Sequence, residues 1–186
     1  MRLFALTLAV LLALAFADPT ASADEKKAEG LAVGKPAPPF KLKNQDEKLV
    51  SNGELKGEWV VLYFYPKDDT PGCTVEACEF RDGIEALKGL HAKVVGVSPD
   101  SPESHRKFIE KYKLPFTLLC DPSKEMMTTY QAFGPVERDG KTTGRVIRST
   151  VIIDPKGNVA KHYPKVTPKG HAAEIKKDLE TLKKQG

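Results

Sequence analysis

The chain has 186 residues, of which 40% are hydrophobic and 29% charged, and carries a net charge of +4. That length supports one domain with a real core. Its lysines are spread among acids rather than gathered in a stripe, with the densest group at the C-terminal end, which argues against nucleic-acid or membrane-surface binding. Three cysteines are too few for a disulfide-scaffolded small fold. Their spacing, with histidines scattered over separate elements, suits no common zinc pattern, so neither a metal nor another cofactor is expected.

Taken in order, the chain opens on a removable segment. Arg2 precedes the apolar run Leu3 to Phe16, which is short for a membrane span and is followed by the small-residue patterns Ala15-Phe16-Ala17 and Ala21-Ser22-Ala23. Residues 1–23 therefore read as a secretory signal peptide, cut after Ala23. The product is expected to be exported, to a periplasmic space, with no lasting membrane association. Residues 24–32 read as a charged, mobile leader, and 33–186 as the folded domain.

Within the domain, Phe40 and Leu42 alternate as in a short strand, and Ser51 to Glu54 has capping-box spacing for a short helix. Val60 to Tyr65 is a continuous apolar run, as expected in the middle of a sheet. A helix follows from Pro71 to Gly89, with Cys73, Ala77, Phe80, Ile84 and Leu87 on one face. His91 to Ser98 and Phe116 to Cys120 read as further strands. Between them lies a helix capped at Ser101-Pro102 and carrying Phe108, Ile109 and Tyr112. Asp121-Pro122 predicts a helix through Tyr130 ended by Gly134, and Asp139-Gly140 a hairpin turn. Arg148 to Ile153 and Asn158 to Tyr163 read as an antiparallel pair. A closing helix from Pro168 buries Ala172, Ile175, Leu179 and Leu182. The pattern predicts an α/β fold with a central mixed β-sheet flanked by helices.

The chemistry concentrates between Pro66 and Cys78. Thr70 is a preferred N-cap and Pro71 suits the first helical position, which makes Cys73 the third helical residue. Its sulfur then lies beside amides that have no partner inside the helix, at the positive end of the helix dipole, a place that favours the thiolate. An ordinary thiol is only about 3% ionised at pH 7. Raising that to about 90% requires roughly 3.4 kcal/mol, more than the ~2 kcal/mol a helix terminus supplies. A second cation is needed, and Arg148, entering a strand expected to be central, is the candidate. Asp68 and Asp69 would oppose the thiolate unless they point into solvent. Cys78 falls toward the polar side of the helix, and five helical residues separate the two Cα atoms by about 8.6 Å. That exceeds the ~7 Å limit for a disulfide, so a bond between them requires the helix to unwind. Cys120, in an apolar strand, reads as core.

The string Pro66-Lys67-Asp68-Asp69-Thr70-Pro71-Gly72-Cys73 matches the Pro-x-x-x-Thr-x-x-Cys motif of peroxiredoxins. With VGKPAPPF, VVGVSPD, LPFTLLCDPS and RSTVIIDPKGNV, nearly the whole domain resembles the peroxiredoxin Q, or bacterioferritin comigratory protein, subfamily. The resemblance implies a thioredoxin-like fold, and a monomeric, thioredoxin-dependent peroxidase that reduces hydrogen peroxide and organic hydroperoxides. By position it implies Cys73 as the peroxidatic and Cys78 as the resolving cysteine. It also implies Thr70 as a hydrogen-bond donor to thiolate or peroxide, Pro66 as a shield from water, and Arg148 as the arginine holding both. The partners it implies are a peroxide and a thioredoxin-like or other dithiol reductant. Two other readings stay open from the residues alone. One is an exported thiol–disulfide oxidoreductase acting on proteins, the other a non-catalytic thioredoxin-like binding module with a structural Cys73–Cys78 bond.

Overall fold

The computed structural model describes residues 31–185. The expected signal peptide and the leader up to residue 30 lie outside the described residues, and Leu31 already packs against the core.

The chain runs β1 (Lys41–Asn44), β2 (Leu49–Ser51), a 3₁₀ turn over Asn52–Leu55, and β3 (Trp59–Phe64). It continues through α1 (Pro71–Asp82), α2 (Ile84–Gly89), β4 (Ala92–Ser98), α3 (Pro102–Tyr112), β5 (Thr117–Cys120) and α4 (Glu125–Thr129). The remainder is β6 (Phe133–Arg138), β7 (Lys141–Val146), β8 (Ser149–Ile153), β9 (Val159–Tyr163) and α5 (His171–Gln185). Seven strands form one sheet in the order β2-β1-β5-β4-β3-β8-β9, and β6 and β7 make a separate ribbon. Strands β3, β4 and β5 are mutually parallel and the outer pairings antiparallel. Parallel neighbours need crossovers, which α1, α2 and α3 supply.

Side chains alternate across a strand, and β3 has a core layer on each face. Val61, Tyr63 and Tyr65 pack with Cys73, Ala77, Phe80 and α5's Ile175 and Leu179. Val60, Leu62 and Phe64 pack with Met127, Tyr130 and Val151. Burial on both faces is why this strand reads as an unbroken apolar run. Opposite Tyr63 stands Gly96, where a Cβ would lie 2.6 Å from Leu118 Cδ2 and 2.8 Å from Tyr63 Cζ. The missing side chain leaves room for the Tyr63 ring, which supports Phe80 of α1 at a centroid distance of 4.9 Å.

Several expected elements change form. The capping box is present, with Glu54 accepting from the Ser51 amide at 2.9 Å, but it opens a 3₁₀ turn. The helix expected through Gly89 breaks at Gly83, whose ψ of 0° departs from helical geometry. The helix expected from Asp121-Pro122 shrinks to α4, because Lys124 (φ 62°) and Gln131 (φ 57°) adopt left-handed conformations at its two ends. Gly134 consequently sits in β6 rather than ending a helix. β2 had no counterpart among the expected elements, since three residues are too few to display an alternation. The Asp139-Gly140 turn forms as expected, with φ of 53° and 70°, the doubly positive pattern of a tight hairpin. Among the described residues, no helix is long and apolar enough to cross a membrane.

Candidate active site

After β3 the chain turns through residues 66–70 into α1. Thr70 has N-cap geometry (φ −89°, ψ 150°) and Pro71 opens the helix, so Cys73 is its third residue, as expected. The stripe of Cys73, Ala77, Phe80, Ile84 and Leu87 is the buried face. It presses the mouth of the helix onto the sheet, leaving Cys73 only 1% exposed.

Strand pairing brings the second cation. Phe64, the last residue of β3, pairs with Ser149, the first of β8, so Arg148 emerges beside the turn that leads to Cys73. Its Nη2 donates to Cys73 Sγ at 3.1 Å, and its Nη1 donates to the Glu76 carboxylate. Burial acts against the guanidinium's charge, but Glu76 and Cys73 more than offset it and push its pKa up. The expected contact between helix mouth and arginine is present.

Glu76 is a member of the site that was absent from the sequence reading. It is fully buried, and burial pushes its carboxyl up to about 7 against the opposing pull of Arg148. Its Oε1 has no hydrogen-bond partner among the described residues. A signal for it existed: Glu76 stands three residues after Cys73 on the face that is otherwise apolar. A carboxylate on a buried face needs an opposite charge.

Thr70 departs from expectation. Its hydroxyl makes no capping bond to a first-turn amide and instead donates to the Lys67 carbonyl at 3.0 Å. The tight loop offers that carbonyl to the side chain, the local competition that short hydroxyl residues are prone to. The Thr70 proton is thus engaged within the loop and not on Cys73. Pro66 is exposed at the start of the same loop.

The two aspartates divide. Asp69 is exposed, the placement expected of it, and is held by Lys111 Nζ at 2.7 Å and Tyr112 Oη at 2.6 Å. Asp68 does not point into solvent. It is 6% exposed, and its charge is met by His105 Nδ1 at 2.9 Å. Solvent was not the only way to remove its opposition.

All three cysteines are free. Cys78 is half-buried beside Arg81, and α1 runs unbroken from Cys73 through Cys78. The ~8.6 Å separation of an intact helix therefore applies, and a permanent structural bond does not fit this state. Contacts besides the apolar stripe also hold α1 closed. They include the Arg148–Glu76 pair, Arg81 Nη1 donating to the Tyr112 carbonyl at 2.8 Å, the Glu79 carboxylate accepting from the Gly170 amide at 2.8 Å, and the edge of His171 against Phe80 at 5.9 Å. Cys120 is core at 6% exposure, at the end of β5.

Comparison with known proteins places the chain in a family. Residues 33–162 match the profile described as the AhpC/TSA family. The chain is 44% identical over 153 residues to the Bacillus subtilis protein named peroxiredoxin Bcp, covering 82% of this chain and 96% of that one. It is 44% identical over 151 residues to the chloroplastic peroxiredoxin Q of Sedum lineare, covering 81% and 78% of the two. Among solved structures, that of the Xanthomonas campestris bacterioferritin comigratory protein, studied for its alkyl peroxide reduction activity, superposes with a TM-score of 0.74. It is 31% identical, over 76% of this chain and 90% of that one.

Proposed function

The chain belongs to the AhpC/TSA family, as a peroxiredoxin of thioredoxin-like fold, and we propose that Cys73, Arg148 and Cys78 carry its chemistry. It is a thiol-dependent peroxidase, an antioxidant oxidoreductase. The observation that carries the residue assignment is Arg148 Nη2 at 3.1 Å from Cys73 Sγ, at the mouth of α1.

The Cys73 thiolate attacks one oxygen of a hydroperoxide. The O–O bond breaks, sulfur is oxidised to the sulfenic acid, and the departing alkoxide or hydroxide takes a proton to leave as alcohol or water. Arg148, with the free amides at the start of α1, stabilises the charge that develops on the departing oxygen. Thr70 joins them by turning its hydroxyl from Lys67 to the peroxide, and Pro66 limits water at the rim. Then α1 opens, the Cys78 sulfur attacks the sulfenic sulfur, and a Cys73–Cys78 disulfide forms as water leaves. The break at Gly83 lets α1 open without carrying α2. A thioredoxin-like or other dithiol reduces the disulfide by exchange. The protein works as a monomer in this reading.

One equivalent of hydrogen peroxide added to the reduced protein is expected to consume two thiols and to yield a crosslinked Cys73–Cys78 peptide by mass spectrometry. In Cys78→Ser, the Cys73 sulfenic acid should persist and be trapped by dimedone. A crosslink to Cys120 instead, or no trapped adduct, would remove Cys78 from the resolving role.

We infer further that the enzyme acts after export. Supporting this are the apolar run Leu3 to Phe16, the Ala21-Ser22-Ala23 cleavage pattern, and a family match that begins only at residue 33. The reductant must then reach the same compartment, which is expected to be periplasmic. The mature protein recovered from that compartment should begin at Asp24; intact residues 1–23 on a cytosolic product would defeat the assignment.

A further inference from the structure

We propose that α3 is the brace of the catalytic loop, and that the buried Asp68–His105 pair is the positioning contact that fixes how Thr70 and Cys73 stand against Arg148. This inference rests on the peroxidase reading above and concerns residues that never touch the peroxide.

The loop from Pro66 to Thr70 carries two consecutive aspartates, and each is tied to a different end of α3. Asp68 meets the first turn. Its Oδ2 accepts from Ser104 Oγ at 2.7 Å and from His105 Nδ1 at 2.9 Å, while its Oδ1 accepts from Tyr65 Oη at 2.7 Å. Its amide donates to Asp100 Oδ2 at 2.8 Å, an oxygen that Ser98 Oγ also reaches at 2.7 Å. Asp69, in the left-handed conformation (φ 56°), meets the last turn through Lys111 and Tyr112. The segment entering the Cys73 helix is therefore clamped along the length of α3.

The two ties differ in strength. The Asp69 contacts are exposed and screened, and pairs of that kind contribute little. The Asp68–His105 pair is buried, with His105 fully covered, so either partner alone would be an uncompensated polar or charged group in the core. His105 faces Asp68 from the loop, Tyr65 just past the end of β3, and the Leu119 carbonyl and Cys120 from β5. Its Nε2 lies 3.2 Å from that carbonyl. One ring nitrogen meets a carboxylate and the other a carbonyl, so both act as donors and the ring is the charged imidazolium.

Burial acts to lower the His105 pKa, but the hydrogen bond and charge of Asp68, with a contribution from Cys120, raise it to about 9. The sign follows. A folded-state value above the ordinary one means the pair's contribution is complete below about pH 6.5 and is lost as pH climbs through about 9.

The test compares full-length wild type with His105→Leu and with the double variant Asp68→Ala, His105→Leu, which leaves no charge buried alone. The readouts are the thermal midpoint and the second-order rate of Cys73 oxidation by hydrogen peroxide. His105→Leu should melt lower and oxidise at least about 10-fold more slowly, in the range a misplaced reacting group costs. The double variant should recover the melting temperature yet stay about 10-fold slow, with a rate flat between about pH 8 and 10. Over that range wild type should fall toward it. A double variant that oxidises at the wild-type rate, or a wild-type profile with no fall through about pH 9, overturns the proposal. Should the double variant not fold, the wild-type profile decides alone. A wild type that consumes no peroxide is a different result, and would bring down the peroxidase reading itself.

Discussion

Cys73→Ser is expected to consume no peroxide above the buffer background with dithiothreitol as reductant, while melting within a few degrees of wild type. The substitution replaces one atom. A serine hydroxyl is a poor nucleophile unless a neighbouring base takes its proton, whereas a thiol needs only to be ionised. Among the described residues neither nearby candidate is placed to take it. Glu76 gives one carboxylate oxygen to Arg148 and its other oxygen has no hydrogen-bond partner, so neither reaches residue 73, and both nitrogens of His105 are occupied on the Asp68 and Leu119 side of the core. The structural cost should be small, on the order of 1 kcal/mol, because the hydroxyl can accept from the guanidinium that now donates to Sγ. Cys78→Ser should differ in kind. It should complete the first oxidation of Cys73 and lose only the protected turnover that follows. Residual multiple turnover in Cys73→Ser would place the nucleophile elsewhere and end the proposed cycle.

How far the site could be read in advance depended on whether the physics was local. The helix start at Thr70-Pro71-Gly72-Cys73 is a matter of cap and proline geometry, and the placement of Cys73 as third helical residue followed from four adjacent residues. The need for a distant cation followed from arithmetic, since the helix end alone falls short of ionising a thiol. Arg148 was a candidate because the strand it enters was legible as central, and the pairing of β8 with β3 then brings it to Cys73. The sheet order itself was not legible, because nothing local states that β8 pairs with β3 or that β5 lies between β1 and β4.

What escaped was the fate of carboxylates. Charge near a thiolate was read as a hazard to be turned outward, yet Asp68 and Glu76 are buried and each is matched by a cation far away in sequence. A buried acid is visible only once its partner is, and here the partners come from α3 and from the residue preceding β8. Thr70 shows the converse limit. Its backbone behaves as a cap, but its hydroxyl chooses among nearby acceptors, and that choice depends on loop curvature that residue types do not specify. The shortened α4 has the same cause, two residues in left-handed conformations at positions where lysine and glutamine give no warning.

Arg148→Met should cost more than any other single change outside the cysteines, and it should do so twice. Losing the donor at Cys73 Sγ removes both the cation that favours the thiolate and a charge aimed at the departing oxygen. Peroxide oxidation of Cys73 should fall about 10² to 10³-fold, the range for deleting one such donor. The second loss is structural. Breaking a buried ion pair by removing one partner typically costs about 3–5 kcal/mol, but Glu76 can lessen that by staying protonated. In the intact protein its carboxyl is raised from the ordinary 4.5 to about 7. Its contribution to stability is thus complete below about pH 4.5 and is lost as pH rises through about 7. Without the pull of Arg148 that value climbs further, so Arg148→Met should melt close to wild type at about pH 5 and well below it at about pH 8. Adding Glu76→Gln removes the titrating group, and the double variant should regain stability at the higher pH while its oxidation rate stays low. Thermal melts at the two pH values, paired with rates of Cys73 oxidation, separate the roles. If the double variant recovers the rate together with the melting temperature, the arginine serves only to neutralise Glu76, and the charge stabilising the departing oxygen must come from the helix mouth alone.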